Sequence, residues 1–340
     1  MNDLFLSACL KKPVSRTPVW IMRQAGRYMK EYREIRKKYD FWTVCKTAEL
    51  ATKVTLQPVD RIGVDAAILF SDILIGLPAM GCNVEFSPGP VVDKPVRNSS
   101  DIENLKIPDP HKDLGFVMDA IKSIRHELKD SVPLIGFGGA PLTLAAYMIE
   151  GKGSKDFIHL KSLLYGDSKS ADLLMSKLVD AQALFLNAQI EAGAQAIQIF
   201  DTWAGNMNRQ LYKRFVLDPV SQLIERIKKP GVPVIYFMRD SLHVLDLLSS
   251  TGANVLSMDD KIPLSKVAKI VGPGPALQGN MDSTLMLGSQ KSITDGVAHI
   301  LDDFPVGHSH IFNLGHGILP PTPTQNAVHL VETVKRLSLK

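Results

Sequence analysis

The amino-acid sequence predicts an α/β protein of the (β/α)8 TIM-barrel class, a single domain over residues 1–340. Three observations carry this. Eight short apolar runs recur along the chain, each followed by polar or glycine punctuation and a longer segment of helical spacing. The runs are nearly continuous in apolar character rather than alternating, as parallel strands covered on both faces require. No Pro/Ser/Gly-rich stretch is long enough to divide the chain. A doubly wound sheet is the alternative, because one sequence does not reveal strand order.

In chain order the first run is "PVWIMR" (18–23), which passes directly into an arginine-rich stretch, and the second is "AAILFSD" (66–72), closed by an aspartate. "PLIGFGG" (133–139) is the third; between it and the second, "SPGPVVDKPVRNSSD" (87–101) reads as an excursion. The helix expected over 170–192 repeats Leu173, Leu174, Leu178, Val179 and Leu184 at mostly helical steps, and Gly193 stops it. "AQAIQIFD" (194–201), "PVIYFM" (233–238), "NVLSMDD" (254–260), "ALQGN" (276–280) and "HIFNLGHG" (310–317) complete the eight.

Composition narrows the function. With 45% hydrophobic and 22% charged residues the chain buries a large core, and a net charge of +4, from 39 basic against 35 acidic residues, is too weak a field for nucleic acid. Cys9, Cys45 and Cys82 lie far apart with no CxxC, which gives neither a disulfide framework nor a structural zinc site. "MNDLFLSACLKKP" lacks the positive start of a signal peptide, and no apolar run approaches a membrane span. A cytoplasmic protein without membrane or nucleic-acid partners is expected.

The chemically distinctive residues sit at the ends of the runs. Arg23 ends the first, Asp72 the second, Gly138 and Gly139 the third, and Asp201 and Thr202 the fourth. Arg239 and Asp240, Asp259 and Asp260, Asn280 and Asp282, and His316 follow the remaining four. In a barrel these ends converge on one mouth, where active sites of the fold lie. Arg23, Arg27, Arg33 and Arg36 would line it, and unpaired guanidinium groups there call for an anionic ligand. Plainer readings stand beside this one. Arg33 and Arg36 with Glu31 and Glu34 also suit a solvated helix face, and Asp72 suits a cap. "GFGGAP" (136–141) fails the dinucleotide spacing at Pro141, and Asp201, Asp259 and Asp260 suit turns better than a metal, so no metal or cofactor is expected.

"PVWIMRQAGRYMKEYREIR" (18–36) and "IGFGGAPLTLAAYMIEG" (135–151) resemble the two signatures of the uroporphyrinogen decarboxylase family. "ILFSDIL", "QIFDTWAG", "LQGNMD" and "FNLGHGILP" extend the resemblance in order over nearly the whole chain. It implies a homodimeric (β/α)8 enzyme that removes CO2 from the four acetates of uroporphyrinogen III, an octacarboxylate tetrapyrrole, to give coproporphyrinogen III, with no cofactor. Carried over, it places Arg23, Gln24, Arg27 and Arg36 in substrate binding. Asp72 becomes the central aspartate beneath the pyrrole N–H groups, and Tyr147, Thr202 and His316 touch the substrate.

Protonating the ring carbon beside an acetate makes a cationic pyrrole that accepts the electrons of decarboxylation. Asp72 would stabilise that cation, and Arg23 is the provisional acid, with His316 and Tyr147 as alternatives. Residues 236–241 and 257–262 depart from the family wording at the rim of the expected pocket. Two other functions fit the fold: a corrinoid or thiol methyltransferase, whose zinc-binding His-x-Cys is missing here, and a silent tetrapyrrole carrier.

Overall fold

A computed structural model describes residues 3–86, 89–227 and 229–340. Its core is a parallel seven-stranded sheet in which each strand pairs with the next: β1 (Ala67–Ile68), β2 (Leu134–Gly139), β3 (Ala196–Asp201), β4 (Val234–Met238), β5 (Val255–Met258), β6 (Ala276–Met281) and β7 (His310–Leu314). Seven of the eight expected runs are therefore strands. The first is not, because "PVWIMR" makes only a single parallel bridge, Val19 to Phe312 of β7. Pro18 has no N–H to donate, and the chain turns away at Arg23, whose φ is +63°.

That short segment nevertheless closes the barrel. On one side Phe312 N–H donates to Pro18 O at 2.8 Å; on the other Asp65 N–H donates to Val19 O at 2.8 Å, just before β1. Asp65 also accepts from Val19 N–H at 2.9 Å and is gripped by both terminal nitrogens of Arg16 at 2.6 and 2.7 Å. The interior shows the same closure. Gln278 on β6 accepts from the Trp20 indole at 2.8 Å and donates to Ser257 of β5 at 2.8 Å and to Gln198 of β3 at 3.3 Å. Two strands separate β3 from β6, so their side chains meet only across a curled sheet's axis.

Helices cover the outside. α1 (Ala48–Ile62) precedes β1, α2 (Gly115–Leu128) joins β1 to β2, α3 (Pro141–Glu150) and α4 (Ser168–Ala192) both lie between β2 and β3, and α5 (Asp218–Ile227) joins β3 to β4; α6 (Leu264–Val271), α7 (Gln290–Asp303) and α8 (Thr324–Leu337) follow β5, β6 and β7. α5 buries Val220, Leu223, Ile224 and Ile227, a stripe at i, i+3, i+4 and i+7. α4 matches its expected span: Asp167 caps it by accepting from Ser170 N–H, and it stops at Gly193. Leu174, Leu178 and Val179 face the core as expected, but Leu173 and Leu184 are exposed, since the five leucine and valine positions span more than one face of the helix. Within the expected excursion, Pro90–Val92 pairs antiparallel with Val84–Phe86; residues 87 and 88 lie outside the described set.

Candidate active site at the barrel mouth

Phenylalanines wall the mouth. Phe137 on β2, Phe200 on β3 and Phe237 on β4 form a chain of edge contacts with ring centroids 5.6 and 5.9 Å apart, and His316 lies parallel to Phe237 at 6.3 Å. Neighbouring strands present these rings to the same side, so the wall is a product of register. The glycines of "GFGG" serve this wall rather than a phosphate. Because β1 pairs over only two residues, Phe137 N–H and C=O find no strand partner there; Gln189 of α4 bonds both, each at 2.9 Å. A β-carbon on Gly136 would lie 2.5 Å from the Gln189 Oε1 that does this.

Asp72 follows β1 at the rim of the wall and is half-buried. Oδ1 accepts from Leu74 N–H at 2.9 Å, which is the capping role in a tight turn, while Oδ2 makes no hydrogen bond among the described residues. Burial pushes the carboxyl above its ordinary range, and the Leu74 N–H and Arg23 pull it back. One oxygen is thus structural and the other is free to accept.

The arginines separate into two kinds. Arg33 donates to Arg27 O at 2.8 Å and Tyr28 O at 3.0 Å, which locks the loop that carries the others. Arg23 and Arg27 are exposed at the mouth and have no acidic partner among the described residues. Arg36 does not belong to a solvated face: Glu34 pairs with Lys37 and Glu31 with Arg61, leaving Arg36 against Tyr32 and Phe41, 5.9 and 5.4 Å from their ring centroids. Those rings pack on Phe70, two residues before Asp72.

Tyr147 reaches the same place from α3. Desolvation raises its phenol, Trp203 hydrogen-bonds it, Asp72 adds to the rise and Arg23 opposes it, so three of the expected residues share one field. Thr202, half-buried, comes two residues after Phe200 and so follows the wall side of β3. His316 is held near a pKa of about 4 by desolvation first, then by Arg23 and Arg239, with Asp240 opposing; its Nδ1 is buried without a partner among the described residues.

Gln24 has a fully buried side chain, with Oε1 accepting from Ile21 N–H at 3.1 Å and Nε2 donating to Ala66 O at 3.0 Å, so it ties the arginine loop to β1. Asp201 also lies behind the mouth, accepting from Thr143 Oγ1 at 2.6 Å and Tyr236 OH at 2.8 Å; burial raises it to about 6. Thr143 in turn accepts from Trp203 N–H at 3.1 Å and so fixes the residue that holds Tyr147. The phenylalanine wall, Thr143 and Trp203 were not singled out from the sequence. An aromatic recurring at the same register of adjacent runs was the available signal for the wall.

No group of three or more His, Cys, Asp or Glu side chains gathers among the described residues. The three cysteines are buried thiols, each raised by desolvation, Cys82 to about 11, which is the opposite of what a thiolate ligand needs.

A closed barrel with an apolar wall, unpaired arginines and one half-free aspartate defines an enzyme class: a barrel that seats a polyanion with an apolar body and acts on it in the pocket. The family model described as uroporphyrinogen decarboxylase (URO-D) matches residues 1–337. Proteins named uroporphyrinogen decarboxylase from Geobacter metallireducens and Geobacter sulfurreducens are 50% and 48% identical over 340 residues, covering 100% of this chain and of each relative. The chain belongs to the uroporphyrinogen decarboxylase family, and thereby to the carboxy-lyases. A methyltransferase from Methanosarcina mazei shares the fold at a TM-score of 0.82, with 23% identity over 98% of both chains. That likeness concerns architecture alone.

Proposed function

We propose that this chain removes CO2 from the four acetate side chains of uroporphyrinogen III to give coproporphyrinogen III, without a cofactor, in tetrapyrrole synthesis. One observation carries the proposal beyond family membership: a half-buried aspartate with one uncommitted oxygen stands at a phenylalanine wall, within the field of an arginine and a tyrosine. The macrocycle packs on the wall, and its carboxylates meet Arg23, Arg27 and Arg36, whose planar donors match carboxylate geometry. Asp72 Oδ2 accepts from pyrrole N–H groups. Those donors favour the ionised carboxyl, offsetting the burial that raises it.

Protonation of the ring carbon next to the one that bears the acetate then generates a cation beside Asp72. The C–CO2 bond breaks toward that cation and its electron pair forms an exocyclic methylene; that carbon takes up a proton to become methyl, and the ring carbon gives back the proton it received, which restores the pyrrole. Asp72 is worth most when the charge develops, in a dry pocket of low dielectric. The acid is Arg23. His316, depressed to about 4, is neutral at pH 7 and lacks the imidazolium proton, while Tyr147 holds its own proton more tightly than a free phenol. Those two bind and orient carboxylates, as does Thr202.

The family resemblance supports a homodimer acting in the cytoplasm without nucleic-acid partners. No helix among the described residues is long and apolar enough to cross a membrane. Anaerobic incubation with uroporphyrinogen III, followed by chromatography of the oxidised products, tests the reading. Coproporphyrin is the expected product; bound but unconverted substrate would identify a carrier instead.

A further inference from the structure

The residues placed at the substrate so far leave part of the mouth without a contact for an anion. Counting the closing segment as the first stave and β1 to β7 as the next seven, Arg23, Asp72, Tyr147 and Thr202 follow staves one to four, and His316 follows the eighth. The substrate of the proposed reaction carries carboxylates around its whole periphery. Staves five to seven end in "MRDS", "MDDK" and "NMDS", in which the basic residues are Arg239 and Lys261.

We propose that Arg239 is a further carboxylate-binding residue of the mouth, gripping the substrate from the side opposite Arg23, and that the Asp240–Lys261 ion pair sets it in position. The inference rests on the decarboxylase reading and adds a contact to it. Arg239 follows the fifth stave, diametrically across an eight-stave barrel from the first. Phe237 faces the mouth, stacked against His316 and touching Phe200, and Arg239 follows directly on the end of that strand, near enough to His316 to act on it electrostatically. Arg23 and Arg239, carried by opposite staves, both act electrostatically on His316, so both stand near it.

The turn that aims Arg239 is fixed from several directions. Asp240 has a left-handed backbone, φ +57°, as Arg23 has at +63°, so both arginine-bearing ends turn sharply at the mouth. Asp240 N–H donates to Asp259 Oδ2 at 2.7 Å, and Gly205 packs against the Arg239 carbonyl with no room for a β-carbon. Lys261 Nζ takes Asp240 Oδ1, leaving Arg239 only a loose approach, Nε to Oδ2 at 3.6 Å. The Arg239 guanidinium makes no hydrogen bond among the described residues. A half-exposed pair of this kind adds little to stability. Its effect is to occupy Asp240 and keep Arg239 available.

Two readouts decide the matter: steady-state kinetics on uroporphyrinogen III, and fluorescence titration with uroporphyrin, the unreactive octacarboxylate. Arg239→Gln should raise both KM and the uroporphyrin Kd about 10-fold, with kcat changed less than about 3-fold and partly decarboxylated products accumulating. Arg239→Lys should give intermediate values, keeping the charge but losing the planar fork. Lys261→Gln, which lets Asp240 draw Arg239 inward, should raise KM and Kd in the wild-type background and have no effect in Arg239→Gln. Unchanged KM and Kd in a folded Arg239→Gln variant would overturn the proposal while leaving the decarboxylase reading intact. A wild-type protein that converts no uroporphyrinogen would overturn that reading, and the uroporphyrin Kd of Arg239→Gln would then still decide the carboxylate contact.

Discussion

Asp72→Asn separates the two tasks of one carboxylate. Asparagine retains Oδ1, so the 2.9 Å bond from Leu74 N–H survives and the turn keeps its shape. The charge is what disappears. Because burial raises the Asp72 carboxyl, the folded protein holds that charge at a cost, and the neutral amide relieves it. The variant should therefore melt at the wild-type temperature or above it. Catalysis should move the other way, since removing one aligned group from a dry site typically lowers kcat about 10²- to 10³-fold, or roughly 3 to 4 kcal/mol of transition-state stabilisation. KM should change much less.

The pH profile carries the same argument. Ionised Asp72 is the working form, so activity is present above its pKa and lost as pH falls through it. In kcat/KM, which reports the free enzyme, the acid limb should lie above the ordinary carboxylate range. In kcat it should lie lower, because bound pyrrole N–H groups favour the anion. The limb should vanish in Asp72→Asn. Anaerobic initial rates across pH, with calorimetric melting of both proteins, provide the measurement. A near-normal kcat in the variant would leave Asp72 as a turn residue, and a large fall in melting temperature would assign lost activity to lost structure.

Three further outcomes follow from the same contacts. Arg27→Ala and Arg36→Ala should raise KM by the equivalent of about 2 to 5 kcal/mol or stall the reaction at partly decarboxylated intermediates, and wild-type kinetics and products in both would remove them from the clamp. Gly136→Ala should drive Gln189 off both polar groups of Phe137 and cost about 1 to 3 kcal/mol in urea unfolding, whereas unchanged stability would mean that Gln189 is free to shift. His310, buried on the Gly279 carbonyl, is lowered from 6.5 to about 4; the unfolded chain binds the proton first, so its contribution is complete above about 6.5 and lost as pH falls toward 4, about 2 kcal/mol of it by pH 5. His310→Gln should flatten that part of the stability curve, and an unaltered acid slope in urea titrations at pH 7 and 5 would refute the assignment.

The sequence determined the periodicities and the chemistry at their ends. Seven strands fell on the expected runs, β6 running one residue past its own, because a parallel strand buried on both faces must be apolar along its length, a property local to a few residues. The arginines, Asp72 and His316 were legible because they are costly residues at places where the apolar pattern stops. Tertiary structure decided what each then does. Gln24 and Arg33 lie in the same motif as Arg23 and Arg27, yet the first two are engaged by Ala66 and by the Arg27 and Tyr28 carbonyls while the others have no acidic partner among the described residues. Nothing local distinguishes them, because their partners depend on how the closing segment docks between β1 and β7. The phenylalanine wall depends on the register of three strands, and the depressed His316 depends first on its desolvation in the closed fold and then on cations brought by different staves of the barrel. A sequence states which groups are present; their protonation, and which of them remain free for a ligand, follow from partners that only the closed barrel brings within reach.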